Sequence, residues 1–391
     1  MFSDRTNWKL TRNRLTEALE EVRSSGARVL DLTVSNPTRV GLHYDEPLIL
    51  ESLASPHAMD YDPQPKGLPG ARAAIAAYYQ TAHRLRHFDP DRLVLTTSTS
   101  EGYSFVFRLL CNPGDELLVP KPSYPLFEFL ADLQDVKLVP YPLIFDHGWQ
   151  MDFPSLEGVV TKRSRAVVVV HPNNPTGSYV HPHEQESLNN FCRKHGLSLM
   201  TDEVFLDYAH NAAPERSFAA NQDVLTFTLS GVSKISALPQ MKVAWIATSG
   251  PAAEVEAALA RLEVISDTYL SMNAPIAWAV PALLQQRTSI QQQLLDRVRG
   301  NLAELDRQLA AQQTCHRLSV EAGWYAILRV PVMQTDEELV VDLLRRKSVL
   351  VHPGHFYDFP RDGFLVLSLI TAEAEFQEGI MRLLQLMVSD S

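Results

Sequence analysis

Arg165-Ala166-Val167-Val168-Val169-Val170-His171-Pro172-Asn173-Asn174-Pro175-Thr176-Gly177 decides the fold. The unbroken apolar run Ala166–Val170 predicts a strand buried on both faces, because a half-exposed strand would alternate apolar and polar residues. The Pro, Asn and Gly residues that follow end it in a turn. A strand covered on both sides needs packed layers above and below it.

The surrounding chain supplies those layers. Helical spacing predicts helices from Pro69 to about His87, Glu101 to Cys111, around Phe127, and His183 to His195. Strands are predicted at Arg92–Thr96, Glu116–Val119, Lys137–Tyr141, Leu197–Thr201 and Val224–Leu229. Such alternation is the pattern of crossover units on a mostly parallel sheet. A helix with an apolar stripe at Leu15, Ala18, Leu19 and Val22 is predicted over Thr11–Arg23, followed by a short strand at Leu30–Val34. Beyond residue 252 come long helical segments, then strands at Gly323–Val330, Val349–Val351 and Phe364–Leu369, with helices at Asp336–Lys347 and Ala372–Val388. The expected fold is α/β: a three-layer large domain at 48–280 and a smaller α+β domain from 1–47 and 281–391.

The 391 residues are 45% apolar and 21% charged, ordinary for a globular enzyme. With 35 Lys plus Arg against 46 Asp plus Glu, the net charge of −11 offers no general attraction to nucleic acid or an anionic membrane. Any anionic ligand must be held by local donors. Cys111, Cys192 and Cys315 are odd in number, far apart and without a CxxC, which fits reduced thiols and a cytoplasmic location. No signal-peptide-like or bilayer-length apolar stretch is present.

Four features stand at predicted strand ends. Lys234 closes Ser230-Gly231-Val232-Ser233-Lys234; Asp202 follows Leu197–Thr201; Asn174 lies in the Asn-Pro-Thr-Gly turn; and Thr96-Thr97-Ser98-Thr99-Ser100-Glu101-Gly102 joins a strand to a helix. Alone, each has an ordinary reading: a surface lysine, a capping acid, a turn, a polar helix cap. Together and in this order, they line a crevice at strand C-terminal ends, with a helix N-terminus for an anion.

With Tyr124 in Pro122-Ser123-Tyr124-Pro125, this series resembles the class I/II aminotransferases, fold-type I enzymes dependent on pyridoxal phosphate (PLP), over nearly the whole chain. The resemblance implies that Lys234 forms the Schiff base and then moves the proton, while Asp202 pairs with the pyridine nitrogen. It further implies that Asn174 bonds the ring oxygen, that Tyr124 stacks on the ring, and that Ser98, Thr99 and Ser100 meet the phosphate. Such chemistry needs an imine lysine and an acid that keeps the ring an electron sink. Tyr61, before Lys66-Gly67, would reach the partner's phosphate in a homodimer, and Ser271 is a second candidate for that role.

The chain also departs from the family pattern. Ser98 stands for a usual glycine, Gly231 for a frequent phosphate-contacting serine, and Lys242 for the arginine that clamps the phosphate, which keeps the charge but loses the planar fork. Phe205 replaces a tyrosine that bonds the ring oxygen, which predicts a raised imine pKa; Tyr208 is a possible substitute. Val366, in Phe364-Leu365-Val366-Leu367-Ser368-Leu369, replaces the arginine that pairs with the substrate α-carboxylate. Arg39, Asn36 and His355 are the substrate-side candidates. His83 and His87, four apart, are expected on a solvated helix face, and no metal site is expected.

The expected function is PLP-dependent transamination between an amino donor and a keto acceptor, with atypical substrate binding. The alternatives are a PLP lyase, decarboxylase or oxidase on the same frame, and a non-catalytic PLP-binding regulatory protein. Neither nucleic acid nor membrane is an expected partner.

Overall fold

A computed structural model describes residues 2–8, 12–211 and 216–389. Its largest sheet has eight strands in the order Leu93–Thr96, Ala244–Ser249, Thr226–Gly231, Ser198–Asp202, Ser164–Val170, Glu116–Lys121, Lys137–Phe145 and Trp149–Met151. The five strands from Thr226–Gly231 through Lys137–Phe145 are parallel to one another, Ala244–Ser249 runs antiparallel to both of its neighbours, and Trp149–Met151 is antiparallel to Lys137–Phe145. The valine run is the middle of this parallel block.

Strand periodicity divides that run between two cores. Ala166, Val168 and Val170 pack with Tyr103, Phe107 and Leu262 from the helices Thr99–Leu110 and Ala252–Thr268. Val167 and Val169 pack with Leu188, Phe191 and Cys192 from the helix Pro182–His195. The result is three layers, as the sequence predicts. All five residues are at most 8% exposed.

The C-terminal block carries a second, antiparallel sheet in the order His316–Arg317, Tyr325–Arg329, Phe364–Ser368, His352–Pro353. Leu30–Asp31 pairs in parallel with Val349–Leu350, and the N-terminal helix Arg14–Ser24 buries Ala18 and Val22 against Val341 and Leu344 of the helix Asp336–Lys347. The N-terminal segment therefore packs with the C-terminal block. Thr11, where the first helix was expected to begin, lies outside the described residues.

Asp336–Lys347 has the bounds read from sequence, because its ends are chemically marked. Thr335 and Glu338 form a capping box, acids fill the first turn, and Arg345, Arg346 and Lys347 fill the last. The helix beginning at Pro69 instead stops at Ala82.

That early stop corrects the reading of His83. Its side chain is not on a solvated face: it is 2% exposed, 3.0 Å from Asp207 and 2.8 Å from the Tyr78 hydroxyl. A partner more than a hundred residues away is invisible to helical spacing. His87 is exposed. Among the described residues, no group of three potential metal ligands occurs, and no helix is long and apolar enough to cross a membrane.

Candidate active site

Strand C-terminal ends converge on one cavity of about 380 Å³, closed from the far side by the second sheet. Asp202, Asn174, Lys234, Thr99, Tyr124 and Phe205 line it. Three different strands deliver the first three, so parallel geometry gathers residues distant in sequence.

Lys234 lies in the four-residue helix Val232–Ile235 after the strand Thr226–Gly231. Burial pushes its amine down from 10.5 to about 8, while the nearby Asp202 charge opposes the shift. Its Nζ lies 4.7 Å from the centre of the Trp324 ring and 5.4 Å from that of Phe205. An aromatic rear wall thus replaces the water that would favour the charged form.

Asp202 is held from two sides: Oδ1 accepts from the Val204 amide at 3.1 Å and Oδ2 from the Tyr103 hydroxyl at 3.0 Å. Burial nevertheless raises its carboxyl to about 6, with the Val204 and Tyr103 hydrogen bonds and the Lys234 charge opposing. A cationic partner inside the cavity would restore the carboxylate. Asn174 is 9% exposed, and its Oδ1 has no hydrogen-bond partner. A buried carboxamide left unpaired at a cavity wall suits a polar ligand.

At the anion end, Ser98 caps the helix Thr99–Leu110, its Oγ accepting from the Glu101 amide, and Glu101 in turn accepts from the Thr97 amide at 2.6 Å. Thr99 borders the cavity; Ser98 and Ser100 do not line it. Gly231 has an extended backbone, but a Cβ there would sit 2.7 Å from the Val243 carbonyl oxygen. Close strand packing therefore excludes a serine at this position. Lys242 is exposed and Tyr61 is 78% exposed, both outside the cavity of the single chain.

Substrate-side placement differs from expectation by a few residues. Asn36 turns its carboxamide onto the Thr38 amide and hydroxyl, and Ser35 lines the cavity instead. Arg39 and His355 are exposed and do not line it, whereas His352 does. Tyr208 does not replace a donor at the ring, because its hydroxyl donates to the Lys234 carbonyl. Val366 is 1% exposed in the middle strand Phe364–Ser368, opposite His352 on one side and Ile327 on the other.

Sequence reasoning missed Tyr103, Trp324, Tyr325 and Tyr357. Tyr103 was within reach, since it follows Thr99 by four residues and shares its helix face. The other three arrive with the second sheet, and no local spacing marks them.

The sequence profile described as "Aminotransferase class I and II" matches residues 49–383. The chain belongs to this family. It is 28% identical to the alanine aminotransferase of Mycobacterium tuberculosis over 377 residues, 94% of this chain and 87% of that protein. Identity to the glutamate-pyruvate aminotransferase AlaA of Escherichia coli K12 is 26%, covering 92% and 90%. The fold also matches the alanine aminotransferase from Pyrococcus furiosus with a TM-score of 0.91 at 21% identity, each chain covered in full. This family member is an amino-group transferase whose cofactor is pyridoxal phosphate. The cavity suits that group: it offers a buried lysine of lowered basicity, a buried acid awaiting a cation, an unpaired carboxamide and a capped helix N-terminus.

Proposed function

We propose that the chain moves an amino group from an amino acid or related primary amine to a keto acceptor, with substrate held otherwise than by an arginine at position 366. The observation that carries this reading is the meeting of Lys234, Asp202 and Asn174 in one cavity whose outer wall includes no arginine among the described residues. PLP, when bound, supplies an electron sink for the carbanion formed at the donor carbon.

Lys234 would be the covalent anchor and, once released, the base and acid that moves a proton at the donor carbon. Asp202, fixed by Tyr103 and Val204, holds a proton at the ring nitrogen. Asn174 would meet the ring oxygen, where Phe205 offers only an apolar face, and Tyr124 would cover the ring. Thr99, at the N-terminus of the helix that Ser98 caps, would meet the phosphate, whereas Ser98, Ser100 and Lys242 do not line the cavity of the single chain.

A homodimer completes the site, with Tyr61 crossing to the partner. Its 78% exposure, beside Met59 at 89%, leaves an aromatic and an aliphatic side chain uncovered on the single chain. The large unit spans 48–280 and the smaller 1–47 with 281–391. A cytoplasmic location fits the three free cysteines.

Mixing holoenzyme with a panel of amines and following the cofactor spectrum tests the reaction. Stoichiometric pyridoxamine phosphate is expected; release of a carbonyl product or an amine without aminated cofactor would point to a lyase, oxidase or decarboxylase.

A further inference from the structure

The outer wall of the cavity is made of neutral side chains able to hydrogen-bond. The Tyr357 hydroxyl lies 3.1 Å from His352 Nδ1, and Ser35 and Tyr325 line the same cavity. Burial pushes His352 down to about 4, with the Asp31 charge opposing, so the imidazole is uncharged at neutral pH. Val366 stands directly opposite His352 in the antiparallel pair, so both side chains leave the sheet on the same face. An aliphatic group therefore occupies the place beside the imidazole.

Among the described residues lining the cavity, the charged side chains are Lys234 and Asp202. Lys234 is committed to the cofactor, and Asp202 would repel a second carboxylate. Lys121, in the groove adjoining Tyr124, is already 3.0 Å from Asp358. A carboxylate brought to this wall would lose its water without gaining a cation from this chain, and a buried unpaired ion is strongly disfavoured. A hydroxyl loses little, because imidazole and phenol both donate and accept.

Resting on the transamination reading above, we infer that the substrates are uncharged next to the reacting carbon: a hydroxyl-bearing primary amine of the amino-alcohol class as donor, and a hydroxycarbonyl compound as acceptor. The His352–Tyr357 pair, with Ser35 and Tyr325 in the same lining, is the specificity determinant that receives the hydroxyl. The donor carbon loses its C–N bond and is oxidised to a carbonyl. The acceptor carbonyl is reduced to the amine in the return half-reaction, and its oxygen leaves as water. One wall serves both halves, so donor and acceptor share the same class.

Holoenzyme mixed in single turnover with matched pairs, alanine against 2-aminopropan-1-ol and phenylalanine against phenylalaninol, tests this directly. Each pair differs only in a carboxylate or a hydroxymethyl group. Cofactor amination is expected to be about tenfold or more faster, at limiting donor, with each alcohol, the equivalent of one charge-compensated hydrogen bond. Equal rates, or faster reaction of the amino acids, would overturn the inference and leave transamination intact. Failure of both members of both pairs would sink the transamination reading and this inference with it.

Tyr357→Phe tests the assignment through a ratio rather than an absolute rate. The rate ratio of 2-aminopropan-1-ol to 2-aminopropane should fall severalfold. An unchanged ratio would remove Tyr357 from hydroxyl recognition and overturn its assignment.

Discussion

The Tyr208 hydroxyl donates to the carbonyl oxygen of Lys234 at 2.6 Å, so the residue after the Asp202 loop grips the lysine through its backbone. Gln291 extends this grip by bonding both the Ile235 carbonyl and Asp207, and Tyr44 bonds the Ala237 carbonyl at 2.9 Å. A helix of only four residues, Val232–Ile235, has little stability of its own. Side chains from three other segments therefore hold it.

Tyr208→Phe should cost about 1 kcal/mol, the worth of one neutral hydrogen bond, because the Ala237 amide still satisfies the Lys234 carbonyl. Denaturant unfolding of the holoenzyme would show it, and a variant as stable as the parent would mean that this contact holds nothing.

In its proposed role as covalent anchor, Lys234 would have to be neutral to attack the cofactor aldehyde, and its basicity is pushed down to about 8. Reconstitution of the cofactor-free chain should therefore quicken by roughly tenfold per pH unit below that value and level off above it. A rate still climbing steeply at pH 10 would show an ordinary solvated lysine. The same shift makes folding release a proton between about 8 and the ordinary 10.5, so on this group alone the cofactor-free fold gains stability as pH rises through that window.

Glu203 behaves in the opposite sense. Burial raises its carboxyl to about 7, although Ser217 Oγ and the Phe218 amide each donate to it at 2.6 Å. A raised folded-state pKa means stability that is present below about 4.5 and lost as pH climbs through 7. Glu203→Gln should remove this dependence, so the variant gains on the parent by something on the order of 2 kcal/mol between pH 5 and 8. Parallel stability curves for the two proteins would refute it.

Gly177 joins the Asn174 loop to the segment leading into Trp324: its carbonyl accepts from the Glu321 and Ala322 amides. Its φ is +66°, and a Cβ would lie 2.4 Å from both the Ala322 carbonyl oxygen and Val320 Cγ2. Gly177→Ala should cost well over about 2 kcal/mol and lower PLP retention. Gly196→Ala, at the same φ but in open space, should cost only about 1 kcal/mol. Equal midpoints for the two variants would show that the close approach is unimportant.

Much of this was legible in the chain. The valine run marked its own burial, Asp202 and Asn174 followed strands recognisable by composition, and the helix Asp336–Lys347 carried its caps in plain view. His83 was misread because its partner, Asp207, comes from another element. On the substrate side, His352 and Ser35 took the places expected of His355 and Asn36, since in strands and tight turns a step of one to three residues redirects a side chain.

Periodicity and strand-end chemistry are local, and local order was enough to determine the layered α/β fold, the family and the gathering of Lys234, Asp202, Asn174 and Thr99 at one cavity. The wall facing the substrate was decided only by tertiary structure. Tyr325 and His352 meet there because antiparallel pairing sets their strands on either side of Phe364–Ser368, with Val366 buried opposite His352, and register across a sheet is set by packing rather than by neighbours in sequence.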